Sequence, residues 1–171
     1  MQQRLVRRIE SSERHYRMLN ALRPPLDGSD TDAITAAARS LARSCGARAM
    51  LCCTTSGNSV RRLARQRPGM PILALTPNVA VARALTLHSH VYPAVLDPDV
   101  LNAPRKEAFY ALLEQGIAIA ERKGLLEEPT DRMVCTAGLP FKMLGTANAI
   151  RIVELAGMDC YGGRCMVPDD M

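Results

Sequence analysis

The chain has 171 residues, of which 47% are hydrophobic and 23% charged, and it carries a formal net charge of +5. This composition is typical of a soluble globular domain, and no apolar stretch approaches the roughly 20 residues that a membrane-spanning helix needs. Residues 1–10 lack the apolar segment of a secretory signal. We therefore expect a cytoplasmic protein with no membrane partner.

Arginine supplies almost all of the positive charge, since Lys106, Lys123 and Lys142 are the only lysines. The planar guanidinium suits phosphate and carboxylate groups, because it can donate two parallel hydrogen bonds. Aromatic residues make up only 4% of the chain, and the basic residues are spread along it. This pattern disfavours nucleic-acid binding, which combines basic grooves with aromatic stacking groups.

The first 46 residues predict two helices with a break between them. Residues 4–22 have apolar side chains at helical spacing, which predicts one amphipathic helix (Leu5, Ile9, Tyr16 and Leu19). The segment RPPLDGSD then interrupts the helix, because proline cannot continue a helix interior. A second helix is capped by Asp30 or Thr31 and stopped by Gly46. Its apolar residues are Ala33, Ile34, Ala37, Ala38, Leu41 and Cys45.

Strands and helices alternate after Gly46. The predicted order is strand 47–54, helix 58–66, strand 71–76, helix 78–86, strand 91–96, helix 104–123 and strands 132–137 and 149–155. The strands are near-continuous apolar runs, which indicates a parallel sheet with helices on both faces. The loop before the last strand is too short for a crossover helix, so that strand should run antiparallel.

The predicted fold is therefore α/β, with a mostly parallel mixed sheet. We expect one domain over residues 1–155, followed by a disordered tail over residues 156–171. The tail contains Cys160 and Cys165, whose role stays open between a loose tail, a disulfide and a soft-metal site.

The segment TTSGNS joins the first strand of this pattern to a helix. Such a turn presents unpaired backbone N–H groups at the positive end of the helix dipole, where anions bind. The glycine lets the backbone approach a ligand closely, and the hydroxyls can bind phosphate oxygens. The six residues predict a phosphate site or, as the alternative, a simple helix cap (Thr54, Thr55, Ser56, Gly57, Asn58 and Ser59). The segment lacks both GxxxxGK[ST] and GxGxxG.

The loop after the fourth strand should end at the same edge of the sheet. It brings backbone donors from Gly138 and Gly145 and the cation Lys142. Ligands of open α/β sheets usually bind at the carboxyl ends of the strands, so both loops could face one ligand.

Catalytic and metal-binding signals are weak. His88 and His90 lie two residues apart without a third ligand nearby, so we expect no metal site. A nucleophilic thiol at Cys52 or Cys53 beside the phosphate loop is the enzyme alternative, although no base accompanies it.

The sequence resembles the carboxy-terminal α/β domain of pyruvate kinase, because the two loop motifs occur in the same order in that family. That family has a T-x-S-G-x-[ST] loop, an arginine-proline pair followed by P-I-x-A-x-T, and a glycine loop leading to G-[TS]-x-N and a final strand. The corresponding segments here are TTSGNS, RPGMPILALT and TAGLPFKMLGTANAIRIV, and the resemblance covers roughly residues 5–155.

The resemblance implies a three-layer α/β/α domain with a five-stranded mixed sheet, which binds a phosphorylated allosteric effector in a homotetrameric glycolytic kinase. The 54–59 loop would then hold one phosphate. A second loop would close over the effector (Gly138, Leu139, Pro140, Lys142, Gly145 and Thr146). Arg105 and Lys106 would be loose substitutes for the residues that hold a second phosphate in some relatives. The effector stays open between a bisphosphate sugar, a monophosphate sugar and a nucleotide.

Pyruvate kinase places its catalytic residues, with Mg and K, on a (β/α)₈ barrel of roughly 250 residues, for which this chain has no room. The resemblance thus implies a regulatory and subunit-association module without cofactors of its own and without phosphoryl transfer by the chain alone. The alternatives are a stand-alone small enzyme or sensor for a phosphorylated small molecule, and an assembly domain in which TTSGNS only caps a helix.

Overall fold

The computed structural model describes residues 2–10, 12–23, 25–102, 105–138 and 147–155. The expected tail and residues 139–146 of the second loop lie outside this part. The helices are α1 (Gln2–Glu10), α2 (Glu13–Ala21), α3 (Asp30–Ser44), α4 (Asn58–Arg65), α5 (Val79–Leu85), α6 (Pro98–Asn102) and α7 (Arg105–Arg122). The strands are β1 (Ala49–Cys53), β2 (Ile72–Thr76), β3 (Val91–Val95), β4 (Arg132–Ala137) and β5 (Ala149–Glu154).

The five strands form one sheet in the order β3-β2-β1-β4-β5. β1 pairs in parallel with β2 and β4, β2 pairs in parallel with β3, and β5 pairs antiparallel with β4. The chain first adds β2 and β3 on one side of β1 and then adds β4 and β5 on its other side. β1 is therefore the point at which the strand order reverses. The predicted fold class, including the antiparallel last strand, is confirmed.

Helices cover both faces of the sheet, because successive strand residues point to opposite sides. On one face Leu51 and Leu73 pack in a core with α6 and α7, and on the other Met50 and Ile72 pack in a core with α3, α4 and α5. Each fully buried side chain of this size contributes about 1.5–3 kcal/mol. The two cores hold the three layers together.

The prediction of a single opening helix over residues 4–22 is wrong, because the chain forms two helices, α1 and α2, with a break at Ser12. Ser12 has extended backbone angles (φ −79°, ψ 141°), and its hydroxyl accepts a hydrogen bond from the backbone N–H of His15 at 3.2 Å. The same hydroxyl donates to the carbonyl of Ile9 at 2.7 Å. Serine hydroxyls compete in this way with helical hydrogen bonds, and the apolar spacing alone could not reveal the break.

The helix predicted after the Pro-rich segment exists as α3, but its cap and its buried face differ from the expectation. Ser29, and not Asp30 or Thr31, is the N-cap, and Gly46 follows the helix with φ 66° as predicted. Ala33 and Ala37 are exposed. The buried residues are instead Thr31, Asp32, Thr35, Ala38, Arg39 and Ala42.

Polar partners explain how this face of α3 can be buried. The fully buried carboxylate of Asp32 lies 3.1 Å from Arg65 and 3.4 Å from Arg62. It also accepts a hydrogen bond from the backbone N–H of Asp27 at 3.0 Å. Arg39, which is 2% exposed, donates to the side-chain oxygen of Asn20 at 3.0 Å. Burying a charge is costly unless it is paired, and this side of α3 meets that condition.

Asp27 gives the fold an acid-sensitive contact. Hydrogen bonds from the side chain and backbone of Ser29, together with the Arg62 guanidinium, hold the pKa of Asp27 well below its usual range. Its carboxylate therefore stabilises the fold above the unfolded-state pKa of about 3.9, and this stabilisation is lost as the pH falls through the folded-state pKa. We expect Asp27→Asn to reduce the loss of stability between pH 5 and roughly pH 2, measured by urea unfolding. An acid response equal to that of the unmodified protein would contradict this assignment.

Helix α7 lies against β1 at a glycine. Gly116 faces the fully buried side chain of Leu51, and a Cβ built at residue 116 would lie 2.7 Å from Leu51 Cδ2. No heavy atom of a side chain fits at that distance, so the absence of a side chain sets how closely the helix approaches the sheet.

No helix in the described part of the chain is both long and apolar enough to cross a membrane.

Candidate functional site

The carboxyl ends of β1 and β4 meet at the point where the strand order reverses. Cys52 pairs with Thr136 in the parallel register, so Thr54 and Gly138 follow at the same level on neighbouring strands. This is the crevice in which open α/β sheets usually bind ligands. The first loop and the beginning of the second therefore share one edge, as the sequence predicts.

The 54–59 loop is a tight turn built around Thr54 and Gly57. The buried hydroxyl of Thr54 accepts a hydrogen bond from the backbone N–H of Gly57 at 2.9 Å. Gly57 has φ 86° and precedes α4 as its N-cap, without a side-chain capping bond. A Cβ at this position would lie 3.3 Å from Val81 Cγ1. Glycine is thus required both by the backbone conformation and by the space available.

The other polar groups of the loop face outward. Thr55, Ser56 and Asn58 are exposed, and Ser59 is half-buried. The hydroxyl of Ser56 accepts a long hydrogen bond from the backbone N–H of Asn58 at 3.4 Å. Within the described residues, no acceptor lies in hydrogen-bonding range of the backbone N–H groups of Ser59 and Val60, because the first helical bond runs from Arg61 to the Gly57 carbonyl at 3.0 Å. Val60 is fully buried, so the amide of the half-buried Ser59 and several hydroxyls are the donors at the beginning of α4.

Arg61 is the residue of this region that the sequence analysis missed. Its guanidinium donates to the carbonyl of Ser56 at 3.3 Å and to the side-chain oxygen of Asn58 at 3.2 Å. It places a positive charge beside the loop. The sequence feature that could have identified Arg61 is its position one helical turn after Gly57. A helical side chain at this position points back over the loop.

The remaining predicted site residues are only partly placed. Gly138 directly follows β4, whereas Leu139, Pro140, Lys142, Gly145 and Thr146 lie outside the described residues. Arg105 and Lys106 begin α7, and this helix connects back to the start of β4, so its own start lies on the carboxyl side of the sheet. The structure does not describe their side chains.

The two thiols next to the loop are protonated at neutral pH. Burial raises the pKa of Cys52 to about 11 and that of Cys53 to about 12, the latter with a contribution from the neighbouring Cys52. A thiol is nucleophilic as the thiolate, so neither residue is poised for attack. In the described part of the chain, no three His, Cys, Asp or Glu side chains converge on a common point where they could hold a metal ion.

The strand order and the helices on both faces of the sheet define a three-layer α/β domain. A family model described as pyruvate kinase, alpha/beta domain, matches residues 32–153. The chain therefore belongs to the pyruvate kinase alpha/beta domain family.

Individual relatives agree with this assignment. A pyruvate kinase of Agrobacterium vitis is 37% identical over 154 residues, which cover 88% of this chain and 30% of the relative. A pyruvate kinase of Methylorubrum extorquens is 32% identical over 87% of this chain and 30% of the relative. One of Geobacillus stearothermophilus is 29% identical over 91% of this chain and 25% of the relative. The chain thus spans less than a third of the length of these relatives.

Proposed function

We propose that this chain is a regulatory module of the pyruvate kinase type, which binds a phosphorylated small molecule at the 54–59 loop. The observation that carries the proposal is the beginning of α4, where the half-buried Ser59 has a backbone N–H without an acceptor among the described residues and the Arg61 guanidinium lies beside the loop. The anionic group of the ligand would accept hydrogen bonds from the Ser59 amide and from the hydroxyls of Ser56 and Ser59.

Electrostatics favours an anion at this position. The beginning of a helix carries a partial positive charge, and an anion there is stabilised by typically 0.3–1 kcal/mol, up to about 2 kcal/mol when partly buried. The Arg61 guanidinium adds a full positive charge beside the loop. A charge-assisted hydrogen bond to phosphate is roughly twice as strong as a neutral one. The donors present therefore suit a phosphate group better than a neutral ligand.

The family supports the rest of the proposal. Residues 138–146 would close over the body of the ligand, and Arg105 and Lys106 would approach a second phosphate if the effector has one. Association with other copies in a homotetramer would use β5, because it is an edge strand with Ile152 40% exposed. Phosphoryl transfer and the ions Mg and K belong, on this proposal, to a catalytic barrel and not to these residues.

Replacing both Ser56 and Ser59 by Ala tests the phosphate site. We expect the unmodified protein to gain about 2.7 kcal/mol of stability at a ligand concentration of a hundred times the dissociation constant. The ligands to titrate in a thermal-shift assay are fructose 1,6-bisphosphate, a hexose monophosphate, a nucleoside monophosphate and inorganic phosphate. The double variant should lose most of this shift, because two hydroxyl contacts to the anion disappear.

The matched control is a double change of Ser40 and Ser44 to Ala, since both serines are exposed on α3 away from the loop. It should keep the full shift. If the Ser56 and Ser59 variant also keeps it, the ligand binds elsewhere. If no phosphate compound shifts the unmodified protein, the assembly alternative replaces the proposal.

The enzyme alternative has less support. It needs a thiolate at Cys52 or Cys53, and the pKa of each thiol is raised to about 11 and about 12, respectively. A thiol of this kind is almost entirely protonated near pH 7.

A further inference from the structure

A groove of about 1270 Å³ lies on the edge of the sheet opposite the 54–59 loop. Its walls are α2, the end of α3, α4 from Arg61 onward, and the segments 67–70 and 87–90, which precede β2 and β3. Ligand pockets commonly measure about 300–1,000 Å³, so this groove has room for a metabolite with its water. We call it the amino-edge groove, because the parallel strands begin there.

The amino-edge groove is lined by more positive than negative charge. Four arginines face one glutamate, Glu13, and the arginines are Arg43, Arg61, Arg65 and Arg67. Arg65 is already paired with Asp32 at 3.1 Å. The guanidinium of Arg67 has no hydrogen-bond acceptor among the residues that the structure describes, although the residue is exposed in the groove. An unpaired arginine in a concave surface is a natural contact for phosphate, which it can bind with two parallel hydrogen bonds.

A buried histidine nitrogen lies in the same wall. His88 Nδ1 is shielded from solvent and has no hydrogen-bond partner within the described part of the chain. Buried polar atoms almost always have a partner, so an unsatisfied one calls for a specific explanation. The ring borders the groove, so a rotation of the His88 side chain would bring this nitrogen to a ligand oxygen and supply the missing partner.

The backbone beside the groove is held in an unfavourable conformation. Arg67 with φ 49° and His90 with φ 61° are the non-glycine residues with positive φ in the described ranges, and both line the groove. Such conformations cost about 1–3 kcal/mol each and persist where the surroundings enforce them, often at ligand sites. The guanidinium of buried Arg39 contacts the Arg67 carbonyl at 3.5 Å and the Asn20 side chain at 3.0 Å, which links α2 to this segment.

Apolar side chains complete the lining. Leu19, Leu22, Met70 and Leu87 face the groove, and Leu87 is 88% exposed. From these observations we propose that the amino-edge groove is a second ligand site, which takes a small phosphorylated metabolite. Arg67 and His88 hold the phosphate, and the body of the ligand lies against Leu22 and Leu87. Arg61 borders both the groove and the 54–59 loop. Arg67 and His88 lie beyond the end of α4 and before β3, so the inference does not depend on that loop binding anything.

Calorimetric titration of the 171-residue chain with pyrophosphate and with a nucleoside monophosphate tests the groove. We expect Arg67→Gln combined with His88→Gln to weaken one binding event at least tenfold, because both phosphate contacts are lost. Arg83→Gln is the matched control, since Arg83 is exposed on α5 and does not line the groove. It should bind like the unmodified protein. The Ser56 and Ser59 double variant should keep the groove event, which separates the two sites.

Backbone NMR of the unmodified protein gives a second measurement if the double variant does not fold. Pyrophosphate should shift the amide signals of Met70, His88 and Ser89. The proposal is wrong if these signals do not move, or if the Arg67 and His88 variant binds with unchanged affinity. It is also wrong if an oligoglutamate peptide binds the groove while neither phosphate compound does, because the groove would then be a protein-binding surface.

Discussion

Asp32→Ala is expected to lower the free energy of unfolding by roughly 3 kcal/mol, or about 6–12 °C in Tm. The fully buried carboxylate accepts hydrogen bonds from the backbone N–H of Asp27 at 3.0 Å and from Arg65 at 3.1 Å. Removing one partner of a buried ion pair costs typically 3–5 kcal/mol. The side chains of Arg62 and Arg65 are 32% and 43% exposed, so water can solvate them when the carboxylate is removed. We therefore expect a cost at the lower end of this range.

Urea unfolding of the variant measures this loss. The matched control is Asp30→Ala on the same helix, because Asp30 is exposed and should change stability by only about 0.5 kcal/mol. Asp32→Asn keeps the shape of the side chain and should fall between the two. Equal stability of Asp32→Ala and Asp30→Ala would show that the contacts of Asp32 add nothing to the fold.

Gly116→Val is expected to destabilise the protein by about 2 kcal/mol. A Cβ at this position would lie 2.7 Å from Cδ2 and 3.1 Å from Cδ1 of Leu51, whose side chain is fully buried. Overpacking of this kind costs about 1–3 kcal/mol, which exceeds the few tenths that valine gains over glycine in helix propensity. Thermal or urea unfolding reports the change.

A double-mutant cycle with Leu51→Ala separates the steric clash from other effects. Leu51→Ala alone should cost about 2–5 kcal/mol through the cavity that it leaves. Combined with Gly116→Val, the total cost should be clearly smaller than the sum, because the valine partly fills that cavity. Additive costs would mean that the two side chains do not meet.

The sequence was a good guide to the sheet and a poor one to the helices that pack on each other. The buried strands are apolar runs, and the short segment before β5 excludes a helical crossover, so the strand pattern follows from local features. The buried face of α3 could not be found in this way. Asp32 and Arg39 are buried only because Arg62, Arg65 and Asn20 come from other helices to pair with them.

The two candidate sites also differ in how far the sequence predicts them. The 54–59 loop stands out in the sequence, because glycine and hydroxyl residues follow a strand directly. Arg61 was overlooked because its contact with Ser56 depends on how α4 begins. The amino-edge groove combines residues from α2, α4 and two loops that are far apart along the chain, so no short motif marks it.

The donors around Ser59 have one property that histidine sites lack. Amides and hydroxyls do not titrate near neutral pH, and an arginine stays protonated throughout the physiological range. The second ionisation of a phosphate monoester, in contrast, occurs near pH 6. An anion held at the beginning of α4 would therefore respond to cellular acidification through its own loss of charge, while the protein surface that receives it stays the same.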